Sequence, residues 1–266
     1  VCFHGGGPGE SAEIDLILAK SKIKGKPALI APHTQFHRLS AGKTILVLDA
    51  GAPPTVQTNR WAHAGTLAFE MSVGKQRVIV NCGAYVGRDK TWLLAQRATA
   101  AHSTLVVEDR NSADIYGDGT IDAKGISVTT ERLEGDSKTW IDMSHDGYTA
   151  AFDIVHRRRI YVDASGSDIR GEDRLDGSGN HKFSIRFHLH PSVKASIVQD
   201  RASVLLRLPD KSGWRMRCSG GIASLQESIY LGDGQDTKRT EQIVISGASQ
   251  QGATQVKWAL TKLTGD

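Results

Sequence analysis

The chain has 266 residues, of which 39% are hydrophobic, 6% aromatic and 23% charged, and its formal net charge is +4 at pH 7. A chain of this length can bury one large core, and all-β sandwiches of roughly 200–250 residues often fold as one domain. The small, dispersed charge argues against nucleic acid as a partner, and the lack of an apolar run of about 18 residues argues against a membrane anchor.

The predicted elements are mostly short strands separated by turns. Residues 10–20 carry aliphatic side chains at helical spacing and predict one short helix, and residues 90–99 predict a second. Runs rich in Val, Ile, Leu and Thr, bounded by Gly, Pro, Asp or Asn, predict strands. These runs cover residues 43–49, 66–72, 76–81, 102–108, 183–190, 203–208 and 242–246. The series predicts an all-β fold: a large antiparallel β-sandwich of two sheets with one or two short helices.

The strand predicted at residues 183–190 has strictly alternating character. Because successive side chains of a strand point to opposite faces, its four apolar residues share the core face. The opposite face receives Ser184, Arg186, His188 and His190. This polar face either binds a sugar carboxylate, with Arg186 and His188 as contacts, or is solvated or covered by another domain.

Three polar residues flank predicted strands: His63, Asn81 and His102. If these strand ends converge, two imidazoles and an amide oxygen can bind a divalent cation, with water completing its coordination. Isolated histidines at strand ends are more often hydrogen-bonded structural groups. Both interpretations stay open.

A predicted hairpin joins the sequence SHDGY, which ends at Tyr148, to HRRR, which begins at His156. Imidazole, phenol and guanidinium groups can transfer protons and neutralise an anion, so Tyr148, His156 and His63 are candidate catalytic residues. The structural alternatives are a turn with a half-buried tyrosine and a solvated strand edge at residues 157–159.

Cys2, Cys82 and Cys218 are an odd number and form no CxxC pair. They predict neither a disulfide framework nor a cysteine metal site, and we expect buried thiols. The chain begins at Val1 without a signal-peptide pattern, so we expect it to be part of a longer polypeptide.

Seven segments, taken in order, resemble the C-terminal domain of the heparinase II/III-like family. They are APHTQFHRLSAGKTILVLDAG, WAHAGTLAFEMSVGKQRVIVNCG, AAHSTLVVED, SHDGY, HRRRIYVDASG, FSIRFHLHP and WRMRCSGG. The resemblance implies a β-sandwich domain at residues 31–266. It makes residues 1–30 a linker with a short helix, which leads from an N-terminal α/α toroid that this chain lacks.

The resemblance further implies a bacterial polysaccharide lyase, periplasmic or cytoplasmic. In the family, a uronate-containing acidic polysaccharide such as a glycosaminoglycan or alginate binds between toroid and sandwich and is cleaved by β-elimination. The expected partners are therefore acidic polysaccharide and the missing toroid, and the isolated chain is expected to be inactive. The family's zinc ligands match His63, Asn81 and His102, which makes zinc the expected cofactor.

This chain departs from the family's pattern at three positions. Asn81 replaces an Asp ligand and removes a negative charge, which weakens zinc binding. Trp61 replaces the first histidine of an HxH motif, and it either stacks on a sugar ring or fills a core. Arg88 lies nearest the position of a family tyrosine. Trp61 and Arg88 join Arg186 and His188 as candidate substrate contacts.

Three functions follow from these observations. A polysaccharide lyase domain is the first, and a carbohydrate-binding or structural module without catalysis is the alternative. A hydrolase on the same scaffold is disfavoured, because no matched pair of carboxylates flanks the expected cleft.

Overall fold

The computed structural model describes residues 11–22, 25–54, 61–85, 87–122, 124–135, 138–198, 203–232 and 237–263. Its helices are α1 (Ser11–Ser21), α2 (Lys90–Arg97) and α3 (Thr149–Phe152). The first strands are β1 (Phe36–Ala41), β2 (Thr44–Asp49), β3 (Phe69–Val73), β4 (Gln76–Val80), β5 (Leu105–Val107), β6 (Asp114–Ile115), β7 (Ile121–Asp122), β8 (Val128–Gly135) and β9 (Lys138–Tyr148). The later strands are β10 (Ile154–Val162), β11 (Asp168–Gly177), β12 (Lys182–Leu189), β13 (Lys194–Ile197), β14 (Ser203–Arg207), β15 (Gly213–Ser219), β16 (Ile222–Tyr230), β17 (Lys238–Ala248) and β18 (Gly252–Lys262).

These strands form two large sheets, and every pairing in them is antiparallel. The first sheet has the order β1-β2-β3-β4-β12-β17-β16, and β5 also pairs with β12. The second has the order β13-β14-β15-β18-β11-β10-β9-β8, and β6 and β7 form a separate small hairpin. The predicted all-β sandwich with short helices is confirmed. No helix in the described ranges is long and apolar enough to cross a bilayer.

The core lies between the two sheets. The ring of Trp258, from the second sheet, stacks on Phe69 with centroids 5.6 Å apart and meets Phe187 edge-on at 5.1 Å. The alternation predicted for β12 is confirmed, since its four apolar side chains are all buried. Each large apolar side chain of this kind contributes roughly 1.5–3 kcal/mol through burial.

One edge of β12 positions the candidate site. β17 pairs along the other edge, whereas this edge is shared by β5 and β4. Between them, the carbonyl of Thr104 accepts from the backbone N–H of Arg186 at 3.0 Å, and Ser103 Oγ accepts from the N–H of His188 at 3.0 Å. Buried backbone N–H groups need partners, so these bonds fix the segment that follows His102 against the sheet.

A buried ion pair between Arg158 and Asp173 lies in the core, and neither side chain is exposed to solvent. Arg158 donates from Nε to Asp173 Oδ1 at 2.7 Å and from Nη2 to Oδ2 at 3.1 Å, and Trp258 Nε1 donates to Oδ2 at 2.8 Å. Burial alone would raise the pKa of Asp173, but Arg158 and the donated hydrogen bonds hold it well below its usual value. The solvated strand edge expected at residues 157–159 is therefore wrong for Arg158, because the strand period turns this residue inward.

A chain of hydrogen bonds continues from this ion pair through two buried histidines. His156 Nε2 donates to Asp173 Oδ1 at 2.8 Å, so its Nδ1 accepts from His145 Nε2 at 3.2 Å. His145 Nδ1 in turn accepts from the N–H of Gly147 at 3.1 Å. This pattern has a single proton arrangement, in which both imidazoles are neutral.

Arg158 also reaches across to the loops of the first sheet. Its Nη1 donates to the carbonyl of Leu67 at 3.0 Å and to that of Ser103 at 2.8 Å. Leu67 has a φ of +62°, a left-handed conformation that costs a non-glycine residue about 1–2 kcal/mol. The guanidinium thus holds together the two segments that carry His63 and His102.

Asp173→Asn should destabilise the fold by about 3–5 kcal/mol, because it leaves the Arg158 charge buried without a counter-charge. The free energy of unfolding in urea measures this loss. Asp176→Asn, on the same strand but in a partly exposed pair with Arg157, is the matched control and should cost less than about 1 kcal/mol. Equal losses in the two variants would contradict the proposed role of the buried pair.

Stability should fall as the pH drops from 7.5 to 5.5. Burial lowers the pKa of His145 and His156. The unfolded chain therefore takes up protons near pH 6.5 that the folded chain does not, and each histidine costs about 1.4 kcal/mol by pH 5.5. Asp49 acts in the opposite direction, since burial raises its pKa to about 7 and the folded state binds the extra proton on acidification.

Four histidines have a lowered pKa against the single raised pKa of Asp49, so the net change should be a loss of stability; they are His37, His145, His156 and His188. Urea unfolding at the two pH values measures this loss. A chain that becomes more stable on acidification would contradict the assignment of His145 and His156 as buried, neutral imidazoles.

Candidate functional site

His63 and His102 are in direct contact. His63 Nδ1 lies 3.1 Å from His102 Nε2, and the two rings are nearly perpendicular at 81°. His102 Nδ1 donates to the carbonyl of Ala98 at 2.8 Å, so the neutral ring presents a lone pair at Nε2 that accepts from His63. The convergence expected for these two residues is what the structure shows, and both side chains are buried.

The segments that carry the histidines are held by backbone bonds at the end of α2. The N–H of Ala64 donates to the carbonyl of Arg97 at 2.8 Å, and that of His102 donates to Thr99 at 3.0 Å. Gly65 allows the close approach, since a Cβ there would lie 2.7 Å from His102 Cδ2. A side chain at Gly65 would therefore push the rings apart.

The carboxamide of Asn81 is bonded on both sides. Its Oδ1 accepts from the N–H of Ser103 at 2.8 Å, and its Nδ2 donates to Glu70 Oε1 at 3.3 Å. The Asn81 backbone N–H also donates to Glu70 Oε1, again at 3.3 Å. Asn81 thus connects the end of β4 to the segment after His102, as part of the scaffold of the site.

The side chains present do not fit a zinc site. The described ranges contain no group of three or more His, Cys, Asp or Glu placed to hold a metal ion. Asn81 supplies no negative charge, its oxygen is engaged by Ser103, and the ring nitrogens of His63 and His102 that face each other share one hydrogen bond.

A cavity of about 430 Å³ lies on the other side of the turn before His102. Its lining includes Cys82, His188 and Ser228. His188 Nε2 donates to the carbonyl of Ala100 at 3.0 Å, so Nδ1 accepts from Ser228 Oγ at 2.8 Å. Burial lowers the pKa of His188 to about 3 and raises that of Cys82 to about 12, so a neutral imidazole and a protonated thiol face the cavity.

Two groups near this cavity keep unused hydrogen-bonding capacity. Gln96 lines the cavity, and its buried Oε1 has no hydrogen-bond partner in the described part of the chain. Arg186 donates from Nη1 to Gln242 Oε1 at 3.3 Å, while its buried Nε has no partner there. On the polar face of β12, His188 is thus buried under Cys82 and Ala100, whereas Ser184, Arg186 and His190 are partly exposed.

The remaining candidates lie elsewhere. Trp61 is 48% exposed and precedes His63 by two residues, and Arg88 is exposed just before α2. Tyr148 is buried, and its hydroxyl donates to the carbonyl of Leu105 at 3.0 Å, while burial raises its pKa. His156 belongs to the buried hydrogen-bond chain of Asp173. Tyr148 and His156 share the predicted hairpin, but the structure does not bring them to the histidine pair.

The sequence reading missed three residues that shape the site: Arg158, Cys82 and Gln96. The alternation of faces along β10 could have predicted that Arg158 is buried, because Arg158 shares a strand face with Ile154 and Ile160. Cys82 and Gln96 had no comparable signal, since their neighbours across the cavity come from β12 and β16.

The fold and this site define a large two-sheet β-sandwich of the kind found in the C-terminal part of polysaccharide lyases. Residues 23–259 match the family described as Heparinase II/III-like, C-terminal. The chain belongs to this family.

Solved structures share the fold at low sequence identity. A heparinase III described as the BT4657 gene product superposes with a TM-score of 0.78 and 14% identity, over 98% of this chain and 43% of that chain. The heparan sulfate lyase HepC from Pedobacter heparinus superposes with a TM-score of 0.76 and 14% identity, over 95% of this chain and 39% of that chain.

A curated relative is similar along nearly the whole chain. FtsZ-localized protein C from Caulobacter vibrioides is 29% identical over an alignment of 282 positions, which covers 99% of this chain and 48% of that protein. The chain thus spans about half the length of this curated relative.

Asn81→Asp should destabilise the chain by roughly 1–3 kcal/mol, because it sets a second carboxylate against Glu70 and removes a donated hydrogen bond. It also supplies the anionic ligand that the wild type lacks. Zn²⁺ should therefore raise the thermal midpoint of this variant by several degrees and leave the wild type unchanged. Adding His63→Ala to the variant should abolish the zinc effect. A zinc-dependent, chelator-reversible stabilisation of the wild type would contradict the conclusion that its side chains do not fit a zinc site.

Proposed function

We propose that the chain binds acidic polysaccharide through the surface around Trp61, and that it does not by itself cleave the polysaccharide. The observation that carries the proposal is an exposed indole two residues along the chain from His63, which is buried and hydrogen-bonded to His102. A flat exposed aromatic ring suits stacking on a sugar. The groups that would perform chemistry are engaged in the scaffold.

The cavity of about 430 Å³ that Gln96 and His188 line supports the same proposal. A sugar unit carries both hydroxyl donors and acceptors, and Gln96 Oε1, which has no hydrogen-bond partner among the described residues, needs a donor. The Arg186 guanidinium next to this lining matches a uronate carboxylate, because its planar fork favours paired contacts. Such a site recognises a sugar acid without needing a base of shifted pKa.

The electrostatic state of the nearby groups argues against a complete catalytic set within this chain. General bases work best with a pKa near the operating pH. His188 has its pKa lowered to about 3 and donates Nε2 to a backbone carbonyl, and the Cys82 thiol is held protonated by burial. Neither group can take a proton from a substrate at neutral pH with useful driving force.

The second candidate is β-elimination, with this chain as one wall of a lyase cleft in a longer polypeptide. The similarity of fold to the heparan sulfate lyase HepC over 95% of the chain favours it. His63 would then face the substrate, and the remaining groups would come from outside these residues. The Caulobacter relative, named for its localisation with FtsZ, supports the non-catalytic proposal instead, since that name describes a location rather than a reaction.

Trp61→Ala should weaken binding of an acidic oligosaccharide about tenfold, which corresponds to the loss of about 1.4 kcal/mol of stacking and burial. Because Trp61 is half exposed, the thermal midpoint should change little. Calorimetric titration of the chain with heparan sulfate and alginate oligosaccharides measures the affinity. Ile222→Ala, an exposed apolar residue on β16, is the control and should bind as the wild type does.

The longer polypeptide that the second candidate requires, incubated with each polysaccharide, should release no unsaturated uronate ends, which absorb in the ultraviolet. No binding by the wild type would defeat the proposal. Release of unsaturated ends that His63→Ala abolishes would favour the lyase candidate.

A further inference from the structure

The outer face of the second sheet carries a groove of about 730 Å³ that is separate from the histidine pair and its cavity. Cross-strand partners place one row of residues across this face. From one edge toward the other the row runs Leu133, Trp140, Tyr161, Arg170, Ala259 and Arg217. An apolar half and a cationic half thus lie end to end.

The apolar half presents aromatic surface to solvent. Trp140 is 43% exposed and Leu133 is 59% exposed. The ring of Tyr161 contacts that of Trp140 at 4.7 Å between centroids, which props the indole in place. An exposed indole held by a neighbour loses little conformational freedom on binding, so it is suited to stack on a ligand.

The cationic half carries more positive than negative charge. Four cationic side chains line the groove, Arg159, Arg170, Arg217 and Lys257, against two acidic ones, Asp168 and Glu172. Arg170 is paired with Asp168, and Arg159 with Asp142. Arg217 and Lys257 are exposed and form no ion pair within the described part of the chain, so their charges are available to an anion.

The shape of the groove fits an extended ligand. From Trp140 on β9 to Arg217 on β15 the row crosses four strand spacings, or roughly 19 Å. The groove is shallow, so it favours a chain of rings lying flat over a compact molecule. Aromatic stacking at one end and cations at the other match a polymer that has both sugar faces and acidic groups.

We propose that this outer groove is a second contact surface for acidic polysaccharide, with Trp140 as the stacking residue and Arg217 and Lys257 as the charged contacts. The inference rests on the proposed function, because it gives the same class of ligand a second place to bind. It would let one chain hold two stretches of polysaccharide, or two neighbouring strands of it, on different faces.

The test is calorimetric titration with a heparan sulfate tetrasaccharide, which is too short to bridge the two faces, with maltotetraose as the uncharged probe. The wild type should bind two acidic tetrasaccharides per chain and no maltotetraose. Trp61→Ala and Trp140→Ala should each keep one site at the wild-type affinity and weaken the other about tenfold, and the double variant should weaken both. Thermal unfolding of each variant verifies that the fold is intact.

A charge-matched pair of double variants isolates the contribution of the cations. R217A/K257A should weaken the outer site at least tenfold and reduce its dependence on salt. R157A/R174A removes the same net charge from the same sheet face, but from residues that are already paired with Asp176, and should leave the affinity within about twofold.

Three results would overturn the inference. A wild type that binds one tetrasaccharide, lost in Trp61→Ala and kept in Trp140→Ala, would leave the proposed function standing and remove the outer site. An equal loss of affinity in R217A/K257A and R157A/R174A would show general electrostatic attraction to the sheet face rather than a defined site. A dimer in sedimentation that Trp140→Ala converts to monomer would assign the face to a second copy of the chain. Loss of one site in Trp140→Ala with no effect of Trp61→Ala would instead keep the outer groove and defeat the proposed function.

Discussion

The buried ion pair of Arg158 and Asp173 is the interaction on which the rest of the structure depends. Two charges in a core carry a large desolvation cost, which is offset only when their hydrogen bonds are nearly complete. Arg158 directs four hydrogen bonds to Asp173 and to two backbone carbonyls, and Asp173 also accepts from His156 and Trp258. Because the carbonyls belong to Leu67 and Ser103, the same pair that joins the strands of the second sheet also fixes the segments that hold the two histidines. The site geometry is therefore a consequence of core packing.

Much of the fold follows from local pattern, and the site follows from it only in part. The period of two in β12 predicts which residues face the core, and the burial of Phe187 and its apolar neighbours agrees with it. The same period identifies the polar face but cannot say what covers it. That cover comes from residues distant in sequence, as in the bond from His188 to Ala100, 88 positions away. The burial of Arg158 was not predicted for a related reason. A run of three arginines suggests a solvated strand edge, and only the alternation of faces along the strand shows that the middle arginine points inward.

The candidate metal ligands illustrate how one residue changes the chemistry that a fold supports. His63 and His102 meet as the family resemblance implies, but Asn81 brings an amide where the pattern has a carboxylate. An amide can satisfy Ser103 and Glu70 at once, which makes it a good scaffold residue and a poor ligand for zinc. His63 and His102 then form a hydrogen bond with each other. Recognition of sugars through aromatic stacking and hydrogen bonding needs no metal ion, which is why binding without cleavage is the function proposed for this chain.

The core ion pair of Arg158 and Asp173 should hold His63 and His102 in direct contact beneath the fold's surface near Trp61. A crystal structure of the chain grown with Zn²⁺ and an acidic oligosaccharide, with anomalous data collected at the zinc edge, decides this. Arg158 should contact the carbonyls of Leu67 and Ser103, no anomalous peak should separate the two imidazoles, and a sugar ring should lie against Trp61. A zinc peak between His63 and His102, with the rings turned apart to coordinate it and the carboxamide of Asn81 released from Ser103, would show that the two histidines form a metal site instead.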